Sequence, residues 1–112
     1  MSPLSPKFNY HDKIKTLTEL QLTDPNQDHK DIIIHTNEEL GEFCSAMAWE
    51  DGDITKKHKD KPTEPSRIEA LDLAVCALSL FYARGGTEEE FNYTVQKKLN
   101  KWEHNLKAAL PK

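Results

Sequence analysis

The stretch from Leu71 to Ala83 is apolar nearly all round when wound as a helix, yet it carries one charge, Asp72, with no basic residue close by to neutralise it. Two demands follow. The helix must be covered on most sides, and the Asp72 carboxylate must be paired, metal-bound or protonated, because an ionised carboxylate in a dry interior is prohibitive. The run is shorter than the roughly 20 residues that span a bilayer, so other helices must cover it.

Punctuation divides the chain of 112 residues into four helices, with no alternating pattern that competes for a strand. Asn9 caps a first helix carrying Ile14, Leu17 and Leu20, which ends near Thr23-Asp24-Pro25-Asn26. A second starts near Asp28 or Asp31 and runs to about Glu50, with Ile33, Leu40, Cys44 and Met47 at helical spacing, until Asp51-Gly52-Asp53 stops it. The third opens with Ser66 as its cap and ends before Gly85-Gly86. Thr87 and Glu90 form a capping-box pattern for the fourth, whose Phe91, Val95, Leu99, Trp102 and Leu106 make one stripe. The expected architecture is all-α, one domain over residues 1–112, with 1–8 a tail and 51–65 an exposed loop. Four short helices struggle to cover the third, so a homo-oligomer is expected.

A formal net charge of −4 argues against a protein that grips nucleic-acid phosphates. The N-terminus lacks an apolar leader core, and a cytoplasmic protein without a membrane span is expected. Cys44 and Cys76 form no CxxC and read as buried, reduced thiols.

The chemistry concentrates in two acidic pairs, Glu39-x-x-Glu42 on the second helix and Glu69-x-x-Asp72 on the third. Positions three apart project from neighbouring turns of one face, so each pair points one way. Together they read as one metal site with hard oxygen ligands for Mg²⁺ or Mn²⁺. Glu38, about 100° from Glu39, suits an auxiliary carboxylate that orients or deprotonates water. Glu69 also fits a capping box with Ser66, an alternative that Asp72 lacks. Along the same stripes, Ala46, Trp49, Cys76 and Ser79 suggest an apolar slot with an aromatic wall for a base. Lys97, Lys98, Lys101 and Asn100 could meet phosphate oxygens or form a solvated face. The Lys56–Lys61 cluster reads as exposed loop or as a lid. His35, one turn before Glu39, reads as a polar surface or packing residue, and neither pair has the Glu-x-x-His spacing of di-iron bundles.

Glu38-Glu39-Leu40-Gly41-Glu42, a loop-containing spacer, then Glu69-x-x-Asp72 on an apolar helix resembles the MazG-like nucleoside triphosphate pyrophosphohydrolases of the all-α NTP pyrophosphatase superfamily. The resemblance spans about residues 28–105 and includes Trp49 and Lys98-Leu99-Asn100-Lys101. It implies a four-helix MazG-like bundle completed by a homodimer or a dimer-of-dimers tetramer. It also implies Mg²⁺ ligands at Glu39, Glu42, Glu69 and Asp72, an assisting Glu38, and a phosphate-side contact from Asn100 with Lys98 and Lys101. With Trp49 as a base contact, the chain departs from many members in carrying Cys76 where a bulkier or aromatic residue faces the base, and a Lys-rich loop between the motifs. The implied reaction cleaves the α–β phosphoanhydride of a (deoxy)nucleoside triphosphate to a monophosphate and pyrophosphate, often as nucleotide-pool house-cleaning. A phosphoribosyl-ATP pyrophosphohydrolase and a non-catalytic nucleotide- or metal-binding helical oligomer are the alternatives.

Overall fold

Helix α1, Tyr10–Leu22, begins where extended Asn9 turns its side-chain oxygen onto the Asp12 amide at 3.0 Å, satisfying one otherwise orphaned donor. The structure, a computed structural model, describes residues 9–52, 62 and 64–110. The tail at 1–8 and most of the expected loop, including Lys56–Lys61, lie outside the described residues. Helix α2, His29–Asp51, opens with a full capping box: Asp28 accepts from the Lys30 and Asp31 amides, and the Asp31 carboxylate accepts from the Asp28 amide at 2.7 Å. It stops at Gly52, whose φ of 74° is left-handed.

Helix α3, Ser66–Ala83, starts differently from the expectation. Ser66 is its first helical residue rather than its cap, and Pro65 precedes it in extended conformation without a capping side chain. The cap comes from α2 instead: the Glu50 carboxylate accepts the Ser66 amide at 2.9 Å and the Ser66 hydroxyl at 2.8 Å. A carboxylate there also meets the positive end of the α3 dipole. Gly85, at φ 91°, turns the chain out of α3, and Gly86 lies so close to the Phe81 ring that a Cβ would collide with it. Helix α4, Glu88–Ala109, then starts with Thr87 Oγ1 accepting from the Glu90 amide at 3.1 Å.

Helices α2 and α3 form an antiparallel hairpin. Glu50 meets Ser66 at one end, Glu39 faces Glu69 and Asp72 in the middle, and Ile32 shares a groove with Val75, Cys76 and Ser79 at the other. Helix α1 lies against α3 through Thr18 and Ser79, whose hydroxyl oxygens are 2.7 Å apart, and through His11 Nδ1 and Tyr82 Oη, also at 2.7 Å. The start of α4 joins them: Phe91 stacks on His11 with centroids 4.3 Å apart, and Glu88 accepts from Asn9 at 3.3 Å.

Beyond Val95, α4 is exposed along its whole length. Leu99 and Trp102 are 52% and 63% accessible, and Leu71 and Val75 on α3 are also exposed. Among the described residues the buried hydrophobic core is only Ile32, Ala46 and Tyr82. The radius of gyration is 17.7 Å, against about 13 Å for a compact domain of this length. One chain therefore folds as an α1–α3 unit with an extended arm. No strand occurs among the described residues, and no helix is long and apolar enough to cross a membrane.

The Ser66 hydrogen bonds hold the Glu50 carboxyl below its ordinary range, with the nearby Arg67 charge a smaller contribution. A carboxylate with a depressed folded pKa contributes stability above its unfolded pKa and loses it as pH falls through the folded value. Glu50→Ala is therefore expected to lower the melting temperature at pH 7. Thermal melts across a pH series should show that deficit shrinking as the buffer passes below the ordinary carboxylate range.

Candidate metal centre

The antiparallel hairpin brings the middle of α2 against the first turns of α3. Glu39 comes from α2, Glu69 and Asp72 come from α3, and one carboxylate oxygen of each lies within 4.8 Å of the other two. Glu69 is 6% exposed, and Glu39 and Asp72 are half-buried. Among the described residues no Lys or Arg forms an ion pair with any of them. Glu39 Oε2 and Glu69 Oε2 are both buried without a hydrogen-bond partner. Buried carboxylate oxygens left unpartnered are costly, and one on each of two residues of the same cluster requires an explanation.

The electrostatics follow from that geometry. Desolvation, then the charges of Glu42 and Asp72, push the Glu39 carboxyl above its ordinary range, against a lowering contribution from His35. Desolvation and the charges of Glu42, Asp72, Glu64 and Glu39 push Glu69 up in the same way. A divalent cation would reverse both effects by supplying the missing counter-charge. The three clustered donors are all hard oxygen, as Mg²⁺ or Mn²⁺ prefers. Glu39, Glu69 and Asp72 fit such an ion.

The Ser66 capping alternative for Glu69 is gone, because Glu50 occupies the Ser66 donors. Glu42 stands exposed one turn beyond Glu39, outside the close trio, and acts on it through charge. Glu38 is exposed and outside the close trio, with His35 Nδ1 3.7 Å from its carboxylate, while His35 Nε2 lies 3.5 Å from Glu39 Oε1. His35 thus bridges two carboxylates, a role its spacing of three and four residues could have signalled.

Trp49 and Cys76 lie on opposite sides of the carboxylates. The helices are antiparallel, so the stripe beyond Glu42 leads toward Ser66 while the stripe beyond Asp72 leads toward Ile32. Trp49 is half-buried at the first end. Cys76 lines an open groove of about 190 Å³ at the second, with Ile14, Leu17, Thr18, Gln21, Ile32, Val75 and Ser79. Burial and the charges of Glu39 and Asp72 push the Cys76 thiol up, which keeps it protonated and places it beside the trio. Ala46 is core rather than pocket wall, and Cys44, expected inside, is exposed. Lys98, Asn100 and Lys101 are exposed on the α4 arm, and no hydrogen bond or ion pair among the described residues links them to the carboxylates. Glu50 and the α1 side of the groove, Thr18 above all, were not identified from sequence.

Comparisons with protein-family models, with curated proteins and with solved structures found no match to this chain.

Carboxylates whose folded pKa is raised favour the folded state when protonated, so their contribution is lost as pH rises from the unfolded value through the folded one. In EDTA at pH 7, Glu69→Gln is therefore expected to melt higher than the wild type, and the gap should close toward pH 4. Adding Mg²⁺ or Mn²⁺ should raise the wild-type melting temperature, by an amount approaching ~2.7 kcal/mol of stability at a hundredfold excess over Kd. Glu69→Gln should lose most of that gain. Differential scanning calorimetry with and without metal reads both.

Proposed function

We propose that this protein is a Mg²⁺-dependent nucleoside triphosphate pyrophosphohydrolase of the MazG-like type, cleaving (deoxy)nucleoside triphosphates to the monophosphate and pyrophosphate. The observation that carries the proposal is the trio of buried Glu69 with half-buried Glu39 and Asp72, with two carboxylate oxygens unpartnered and no Lys or Arg ion pair to them among the described residues. An anionic pocket on an acidic protein needs cations to accept a polyphosphate. An ion held by the trio would supply charge neutralisation and would lower the pKa of bound water.

The chain's own residues divide the remaining work. Glu39, Glu69 and Asp72 would hold the cation, and exposed Glu42, one turn away, would add a further carboxylate toward it. Glu38 is held by His35 and serves to orient water or accept its proton. Addition of water across the α–β bridge breaks one P–O bond and yields monophosphate, pyrophosphate and a proton. Nucleotide-pool house-cleaning is the role this reaction fits, inside the cytoplasm.

The exposed Leu99, Trp102, Leu106 and Leu110 arm supports a homodimer or a dimer of dimers. A second copy laid on α4 would cover the arm and could bring Lys98, Asn100 and Lys101 of one chain toward the carboxylates of another. Phosphoribosyl-ATP is the competing substrate, and a helical oligomer that binds metal or nucleotide without turnover is the competing class.

Pyrophosphate release should require Mg²⁺ or Mn²⁺, stop with EDTA, and fall at least ~100-fold in Asp72→Asn and Glu42→Gln, with circular dichroism unchanged. A panel of (d)NTPs and phosphoribosyl-ATP separates the substrates, and wild-type rates in either variant would refute the site. Trp102→Glu is expected to shift the sedimentation coefficient from oligomer toward monomer; a wild type that sediments as a monomer at high concentration would refute the assembly.

A further inference from the structure

The groove between α1, α2 and α3 has a floor whose protons can be counted. Thr18, only 3% exposed, has one hydroxyl proton and gives it to the Ile14 carbonyl at 2.7 Å. The Thr18 and Ser79 hydroxyl oxygens lie 2.7 Å apart, so the proton between them must come from Ser79. Both hydroxyl protons are then committed, and what the pair has left is lone pairs. The rest of the lining is apolar Ile14, Leu17, Ile32 and Val75, the Cys76 thiol, and exposed Gln21, whose Nε2 already donates to Gln27 Oε1 at 3.1 Å.

Position along α3 ties this floor to the carboxylates. Ser79 is seven residues past Asp72, which returns it to the same helix face about 10 Å further along the axis. That is the scale separating the phosphates of an extended nucleotide from the far edge of its base. Cys76 lies between them, one turn from Asp72.

Building on the pyrophosphohydrolase reading, we propose that this groove takes the nucleobase and selects one that presents an exocyclic amino group, as cytosine and adenine do, over its keto counterpart. An amino N–H meets the lone pairs left on Ser79 and Thr18. A carbonyl oxygen at the same place meets another acceptor and loses its hydration without a partner, the mismatch that polar pockets reject most strongly. Thr18 and Ser79 are the specificity-determining residues.

Matched pairs isolate that one group: dCTP against dUTP, and dATP against dITP. In Mg²⁺-dependent pyrophosphate release, the amino member of each pair is expected to have a kcat/KM roughly tenfold or more above its keto partner. Thr18→Val removes the acceptor of the Ser79 proton and frees that O–H to donate, so the dCTP/dUTP ratio should fall to one or below. Ser79→Ala should lower the ratio without inverting it, and circular dichroism confirms that each variant is folded. A merely structural role would reduce both substrates alike. Because turnover also depends on the metal site, NMR titration of the wild type with dCMP and dUMP provides a separate reading. Shifts at the Cys76 and Ser79 amides with tighter dCMP binding support the groove assignment even if no triphosphate is hydrolysed, in which case the enzymatic reading alone fails. Equal turnover within both pairs, equal binding of dCMP and dUMP, or no shift at these amides with either overturns the inference.

Discussion

The contact between the middle of α2 and the start of α3 presses three carboxylates together with no Lys or Arg ion pair among the described residues, and much else in the molecule is arranged around that conflict. Like charges at this spacing repel, and burial removes the water that would otherwise screen them. A fold that tolerates such a contact must be held by interactions elsewhere in the hairpin. Glu50 on Ser66 pins one end, and Ile32 against the α1–α3 seam pins the other. The carboxylates lie between two fixed points and cannot relax by sliding the helices apart.

The same hairpin presents different side chains along its length. Toward Ser66 it presents Glu42 and Trp49, and toward Ile32 it presents Cys76, Ser79 and the α1 groove. A ligand that places phosphates at the trio can therefore extend in either direction, and the two directions offer different surfaces. The groove end carries a hydroxyl pair with committed protons, whereas the Ser66 end carries an aromatic side chain. Among the described residues the α4 arm joins the rest near its start, through Glu88 and Phe91. Its apolar stripe and the large radius of gyration describe a protomer with more hydrophobic surface than it can bury alone.

Much of this was legible in the sequence. The helix starts at Asn9 and Asp28 could be read because local side-chain hydrogen bonds define them, and Gly52 and Gly85 are stops because of backbone sterics. Glu39, Glu69 and Asp72 were legible because three-residue spacing fixes a face and apolar neighbours imply burial. The start of α3 was not, because its cap is a tertiary contact: Glu50 lies sixteen residues before Ser66, and no local pattern reports it. The pairing of Trp49 with Cys76 in one slot failed for a related reason. Helical periodicity says which residues share a face and nothing of the direction in which a neighbouring helix runs. Thr18 likewise became significant only when α1 was laid on α3.

Mn²⁺ provides the most direct test of the central claim, since its unpaired electrons broaden the NMR signals of nuclei close to where it binds. With substoichiometric Mn²⁺, the backbone resonances around Glu39, Glu69 and Asp72 should vanish first, and Mg²⁺ in excess should restore them. Glu88, Glu89 and Glu90 at the start of α4 form an exposed acidic run within the same molecule and act as an internal control. Broadening that begins at that run, or spreads evenly over both acidic regions, would contradict the account.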